Sequence, residues 1–144
     1  MVNASEAVSV RLDLDKVPFL DGAIECVEKK IFSSLQPQNI RLRRAIDTDS
    51  QRTASKFPEY SLLFDPQTAG GLLCGVPANK VSACLKKLHK LGYESSTMIG
   101  EVISSVGVQA GGAIIIDTDG MANKTLDGVL DDGINESSSL LGRL

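Results

Sequence analysis

The chain has 144 residues, of which 42% are hydrophobic, and its formal net charge is −3 at pH 7. This length suits one domain with an aliphatic core, and the weakly acidic balance provides no field that would attract nucleic acid. No apolar run approaches the roughly 18 residues needed to span a bilayer. We therefore expect neither nucleic acid nor a membrane among the partners.

The cysteine pattern bears on the compartment. Cys26, Cys74 and Cys84 are odd in number and widely spaced, so they form neither a disulfide framework nor a CxxC metal or redox pair. Their apolar surroundings predict buried thiols. The first residues also lack the basic and apolar regions of a secretory signal. These features favour the cytoplasm or another reducing intracellular compartment.

The first third of the chain predicts a strand, a helix and a basic turn. Alternating apolar residues from Val8 to Leu14 indicate a half-buried strand. Helical spacing follows from Asp21, a candidate N-cap, to about Lys30. The stretch 32–46 predicts a loop and then one or two helical turns that place Arg41 and Arg44 on one face. That face is either solvated or contacts phosphate or an acidic partner, which guanidinium groups suit.

The middle of the chain contains its most distinctive loop. Residues 47–56 are polar without periodicity and predict an exposed loop, and a short helix should start at Pro58. The sequence Asp65-Pro-Gln-Thr-Ala-Gly-Gly then predicts a tight turn, because Asp65 can accept backbone N–H groups and the glycine pair permits unusual backbone angles or close approach. The loop is either a structural turn or a cradle for an anion on free N–H groups.

The second half predicts further strands around one amphipathic helix. A buried strand is expected at 72–76, and a helix at 78–91 with an apolar stripe and a Gly92 cap. Two more strands are expected near 97–103 and 113–116, and His89 should be a packed or solvated side chain. The whole predicts an α+β fold, a mixed sheet with packed helices over residues 1–117. Residues 118–144 are polar and predict a flexible tail.

The run Asp65-Pro-Gln-Thr-Ala-Gly-Gly-Leu-Leu, with Ile99-Gly-Glu-Val after the helix, resembles the C-terminal domain of selenophosphate synthetase (selenide, water dikinase). This family lies within the aminoimidazole ribonucleotide (AIR) synthase-related superfamily. The resemblance extends from about Val10 to about Ile103, and it implies a partial AIR synthase-like C-terminal domain. Ala69 departs from the serine that the family usually has, which removes one hydroxyl from the loop.

The resemblance also implies what a complete enzyme would contain. Family members bind ATP through magnesium on an N-terminal domain that is absent from these residues, so no catalytic residue, metal site or cofactor is expected on this chain alone. A domain of that kind, in cis or in trans, and a second copy of the chain are the expected partners. The residues expected to face an anion or nucleotide are Asp65, Gln67, Thr68, Gly70, Gly71 and Arg44.

Three functions compete at this point. The chain is part of an ATP-dependent selenophosphate synthetase that is inactive alone, or a non-catalytic binding module that kept the fold, or another member of the superfamily. Phosphoryl transfer needs clustered cation ligands and phosphate donors, and the loop and Arg44 would supply at most an outer wall. The residues of the 65–71 motif resemble those of selenophosphate synthetases more than those of other superfamily members.

Overall fold

The computed structural model describes residues 8–66, 70–104 and 112–121. Within these ranges the chain forms three strands, five α-helices and three short 3₁₀ turns. The strands and helices, in chain order, are β1 Val8–Asp13, α1 Ala23–Glu28, α2 Gln36–Asn39, α3 Thr48–Ala54, α4 Pro58–Leu62, α5 Val81–Lys90, β2 Gly100–Ser104 and β3 Ile114–Asp117.

The three strands form one mixed sheet with β1 in the centre. β2 pairs with β1 antiparallel, so that Val10 lies opposite Val102, and β3 pairs with β1 in parallel. An ion pair of 2.6 Å between Arg11 and Glu101 joins the exposed faces of β1 and β2. With helices packed around a mixed sheet, the predicted α+β class is confirmed, as is the existence of the first, third and last predicted strands.

The core lies between the sheet and the α3 and α4 helices. Its buried members come from five separate stretches of the chain, which explains how they hold the sheet and helices together. They are Leu14, Ala54, Tyr60, Phe64, Ile116 and Met121. The rings of Tyr60 and Phe64 pack edge to face with centroids 5.1 Å apart, a favoured aromatic geometry.

The exposed loop predicted for residues 47–56 is wrong, because α3 occupies most of it. Asp47 caps this helix, since its carboxylate accepts the backbone N–H of Ser50 at 3.0 Å. Ala54, at the other end, is fully buried in the core. The helix is therefore stabilised by one N-cap and by the burial of one small apolar side chain. The stretch is too polar to show an apolar stripe in the sequence.

α1 forms where a helix was predicted, but with other ends. Gly22, with φ of 81°, takes the N-cap position that the sequence assigned to Asp21. Lys30 has φ of 59° beyond the helix end, which a helix cannot continue through. α1 is thus shorter than expected, whereas the helical turns at 36–45 and the helix beginning at Pro58 are confirmed.

The buried strand predicted at 72–76 is wrong. The chain there pairs with none of the three strands, and Leu72 is 95% and Leu73 69% exposed. Cys74 is also exposed and Cys84 only half-buried, so the predicted burial of the thiols fails. An apolar run can become a buried strand only where a sheet edge and a covering layer receive it, and the described chain provides neither here.

α5 confirms the predicted helix, preceded by a 3₁₀ turn at Ala78–Lys80 and followed by Gly92 with φ of 92°. Its apolar stripe, however, contains no buried residue. The main contacts of α5 are with the 3₁₀ turn that precedes it. We call residues 70–99 the α5 arm. The arm contains a regular helix, but little of the described chain packs against it.

The packed body continues past Asp117, where the sequence predicted it to end. Met121 is 3% exposed and belongs to the core. The rest of the predicted tail, 122–144, lies outside the described residues. Among the described residues, no helix combines the length and the apolar composition that crossing a bilayer requires.

Candidate functional site

An open groove of about 420 Å³ lies between α1 and the end of α4, and it includes Asp65. The two helices pack against each other and form its walls. Most of its lining is apolar, contributed by Leu20, Ala23, Val27, Ile31, Phe32 and Leu62. Because Leu20 is 82% and Ile31 60% exposed, the groove presents apolar surface directly to its surroundings.

The polar groups of the groove are few, and two of them are acidic. Asp21 and Asp65 contribute carboxylates, Cys26 contributes an exposed thiol, and Gln36 contributes an amide. The Gln36 amide donates to the Ser61 carbonyl at 3.0 Å, which links the segment after α1 to α4. None of the described residues that line the groove is basic. Its charge therefore favours an apolar or cationic ligand over an anion.

Asp65 is held at the groove by the turn that ends α4. Its backbone N–H donates to the Leu62 carbonyl at 3.1 Å, and the adjoining Phe64 side chain is 5% exposed and anchored in the core. Asp65 is half-buried and makes a further interaction. The turn predicted from Asp65 onward falls partly on residues 67–69, which lie outside the described residues, so it stays a prediction.

The other described residues predicted to form the loop site do not line the groove. Gln67 and Thr68 lie outside the described residues, while Gly70 and Gly71 are exposed. Gly71 does not have a positive φ, and a Cβ added there would meet no atom within 4 Å. The special backbone conformation that the sequence suggested for the glycine pair is therefore wrong for Gly71.

Arg44 does not join this site. It lies in the 3₁₀ turn Ile40–Ala45, is exposed, and is absent from the residues that line the groove. Residues 67–69 lie outside the described residues, so the proximity of Arg44 to the 65–71 loop stays a prediction. The positive charge of its neighbour Arg43 lowers the pKa of the Tyr60 phenol in part.

Two buried polar atoms on α4 have no hydrogen-bond partner among the described residues, Glu59 Oε2 and the Tyr60 hydroxyl. Burial raises the pKa of the Tyr60 phenol above its ordinary value, and the nearby Arg43 charge opposes this only in part. A buried hydroxyl without a partner lowers stability. α4 thus combines a packed aromatic core with unsatisfied polar groups.

Outside the groove, the described residues offer little metal chemistry. A second, open cavity of about 300 Å³ is lined by α3 and by the end of β3, with carboxylates from Asp49, Asp117 and Asp119. Within the described ranges, no group of three or more His, Cys, Asp or Glu side chains is arranged to hold a metal ion. His89 is exposed and its Nε2 donates to the Ser96 carbonyl at 2.8 Å.

The sequence missed the α1 side of the groove. Cys26, Asp21 and Phe32 carry no motif, and they become neighbours of Asp65 only because α1 packs on α4. One signal was available, since apolar residues recur through Leu20, Val27 and Ile31 on both sides of a short helix. That pattern indicates an apolar face, but periodicity cannot say whether a face is covered or open.

Comparison with known proteins gives one consistent result. Six curated selenide, water dikinases match the chain. The protein from Bdellovibrio bacteriovorus is 32% identical over 104 residues, which is 72% of this chain and 28% of that relative. The Clostridioides difficile protein is 29% identical over 104 residues, again 72% of this chain and 29% of the relative. The Pelobacter propionicus protein is 45% identical over 94 residues, or 65% of this chain and 26% of the relative.

The chain therefore spans between a quarter and a third of the length of the relatives it matches. No family model matches it, and no solved structure matches it. The resemblance recognised from the 65–73 and 99–102 motifs is confirmed by these relatives. The relation covers a part of those proteins and about two thirds of this chain.

Proposed function

We propose that this chain, as a relative of the selenide, water dikinases, supplies the C-terminal part of an ATP-dependent selenophosphate synthetase. In that reaction selenide receives the γ-phosphoryl group of ATP and water releases the second phosphate. The chain is not expected to catalyse it alone. The observation that carries the proposal is the similarity of about two thirds of the chain to six selenide, water dikinases.

The extent of the match supports a partner. At least 71% of each of the three relatives described above has no counterpart in the aligned part of this chain. We propose that an ATP-binding domain, in cis or in trans, provides the ATP and magnesium sites. The described residues contain no three-residue metal cluster, and phosphoryl transfer depends on metal ions that bridge the phosphates.

The α5 arm is the surface that we assign to this partner. It exposes Leu72 and Leu73, and α5 buries none of its apolar stripe. Four lysines border the stripe, Lys80, Lys86, Lys87 and Lys90. An apolar surface with a basic rim fits a partner surface that is apolar with an acidic rim.

In the assembled enzyme we place the 65–71 loop towards the nucleotide. Gly70 and Gly71 are exposed, so their backbone N–H groups are accessible to a phosphate. Gln67 and Thr68 would add donors, and the exposed Arg44 would add a guanidinium group. The Asp65 carboxylate opposes an anion, which favours a magnesium-bound phosphate over a free one.

A chimera tests this proposal. The matched segment of this chain would replace its counterpart in the 45% identical Pelobacter propionicus protein. We expect selenide-dependent phosphate release within about tenfold of the parent, that is, within about 1.4 kcal/mol of its activation free energy. The purified 144-residue chain alone should release phosphate from ATP only at background. The matched control is the chimera carrying Lys56→Ala, which should lose little activity because Lys56 is exposed and does not line the groove.

A folded chimera without activity would overturn the proposal and favour the non-catalytic binding module. Folding would be judged by circular dichroism and by a cooperative melt. The open groove and the exposed Leu72 and Leu73 are the observations that support this second function, since large exposed apolar surfaces mark interaction sites. Turnover by the chain alone would overturn both.

A further inference from the structure

The lining of the α1–α4 groove is apolar and acidic. Leu20 and Ile31 expose apolar surface there, and the exposed Asp21 lies beside them. Asp65 is the second carboxylate of the lining. α1 adds Glu25 in its first turn and has no basic residue in its last turn. The partner surface that fits must therefore bring apolar side chains and cationic groups together.

The C-terminal end of α5 has the complementary composition. We call residues 87–93 the α5 end. Within it, Leu91 is 64% and Tyr93 62% exposed. Lys87 and Lys90 are exposed as well, and the α5 end contains no acidic residue. It is therefore an apolar surface with a positive charge, on the same chain as an apolar groove with a negative charge.

The backbone of the α5 end is held in one conformation by hydrogen bonds. The Tyr93 N–H donates to the Leu88 carbonyl at 3.1 Å, and the Gly92 N–H donates to the His89 carbonyl at 3.0 Å. Together with the positive φ of Gly92, these bonds form a Schellman motif. Leu91 and Tyr93 thus lie on a fixed backbone, so binding them costs little backbone entropy.

We propose that the α5 end of one copy of this chain binds in the α1–α4 groove of a second copy. Leu91 and Tyr93 pack on the apolar lining, and Lys87 and Lys90 lie beside Asp21. None of the described residues of α5 lines the groove of its own copy, and the main contacts of α5 are with the 3₁₀ turn before it. Every copy therefore carries both halves of one head-to-tail contact.

This contact concerns the chain without an ATP-binding partner. The α5 arm is the surface that we assign to that partner, so the partner and a second copy compete for it. Self-association is then lost when the partner binds. The inference does not rest on the proposed function, because the contact is measured on the isolated chain.

Sedimentation velocity of the 144-residue chain tests the contact. We expect the average mass to rise with concentration, with a Kd on the order of 30 µM, as for a weak interface of small area. Asp21→Lys places a positive charge opposite the lysines and should raise the Kd about tenfold. Leu91→Ser with Tyr93→Ser removes the apolar contact and should raise it by about the same factor.

Two matched controls distinguish this contact from general stickiness. Leu72→Ser with Leu73→Ser removes exposed apolar surface from the same arm but outside the α5 end. Lys56→Glu reverses an exposed charge that lies outside both surfaces. Both should leave the Kd within about twofold of the parent value, because neither change touches the contact.

Mixing the two defective variants tests whether the two surfaces meet. The Asp21→Lys copy keeps its α5 end, and the Leu91→Ser/Tyr93→Ser copy keeps its groove, so one intact contact remains between them. The mixture should therefore form a 1:1 dimer with a Kd within about threefold of the parent value, although neither variant associates alone. An unfolded variant would not restore association in this way.

Three results would overturn the inference. A parent chain that stays monomeric at about 100 µM has no such contact. Association that survives both sets of substitutions would place the contact on another face. A mixture that stays monomeric would show that the groove and the α5 end do not meet. Since no measurement uses ATP or selenide, these outcomes leave the proposed function untouched.

Discussion

The packed body and the α5 arm contain similar amphipathic patterns and very different burial. In the body, the short α4 helix places Tyr60 in the core and leads directly to buried Phe64. In the arm, the longer and more regular α5 helix buries none of its residues. The comparison shows that an apolar stripe specifies a face to be covered, whereas the neighbouring chain decides whether anything covers it.

The same contrast explains the failed strand at 72–76. Residues of β1 are held by hydrogen bonds on both sides, from β2 and from β3. The apolar run after Gly71 has neither neighbour, although its composition is equally suited to a strand. We attribute this difference to the missing layer that the proposed partner domain would provide.

The largest expected effect comes from truncating a leucine in the packed body and, for comparison, one in the α5 arm. Leu14→Ala should lower the free energy of unfolding by about 2–5 kcal/mol, because Leu14 is fully buried and the substitution leaves a cavity. Leu73→Ala should change it by less than about 0.5 kcal/mol, since Leu73 is 69% exposed. Urea unfolding followed by circular dichroism measures both.

This expectation replaces the sequence-based one, which placed Leu73 in a buried strand beside a stripe containing Leu85. Leu85 is half-buried, so its truncation should have an effect between the other two. If Leu73→Ala destabilised the chain as much as Leu14→Ala, the arm would be packed in solution and the contrast would be wrong.

Glycines provide the second test. A Cβ at Gly100 would collide with the backbone carbonyl of Arg11 in the neighbouring strand, whereas a Cβ at Gly71 would meet nothing. Gly100→Ala should therefore cost about 1–3 kcal/mol by forcing β1 and β2 apart. Gly71→Ala should be neutral within about 0.5 kcal/mol. Thermal melts of both variants measure the two losses of stability. Equal losses would mean that Gly71 is packed as closely as Gly100.

The smallest expected effect concerns the two tyrosines. Tyr60→Phe should stabilise the chain by about 1 kcal/mol near neutral pH, because it removes a buried hydroxyl without a partner among the described residues. Tyr93→Phe should have no effect, since Tyr93 is 62% exposed in the arm. Urea unfolding at pH 7 measures the difference.

The raised pKa of Tyr60 also predicts how the stability of the chain changes with pH. Burial raises the pKa of the Tyr60 phenol in the folded chain above its unfolded value near 10. The folded state therefore favours the neutral phenol, and this adds to the free energy of unfolding below about pH 10. The added stability is lost as the pH rises from about 10 through the folded pKa. Stability should fall less steeply above pH 10 in Tyr60→Phe than in the parent. Identical slopes would show that the ring is not buried.

Several features follow from local sequence alone. The alternation from Val8 to Leu14 determines a strand, Pro58 begins a helix, and Gly92 ends one, because each depends on side-chain period or on backbone angles within a few residues. The 65–73 motif also identified the relatives that comparison then confirmed.

Other features were decided only by tertiary structure. The burial of Ala54 and Met121, the exposure of Leu72 and the meeting of Cys26 with Asp65 all depend on which elements pack together. The physical reason is that burial is a property of pairs of surfaces distant in sequence, so a pattern along one segment cannot contain it.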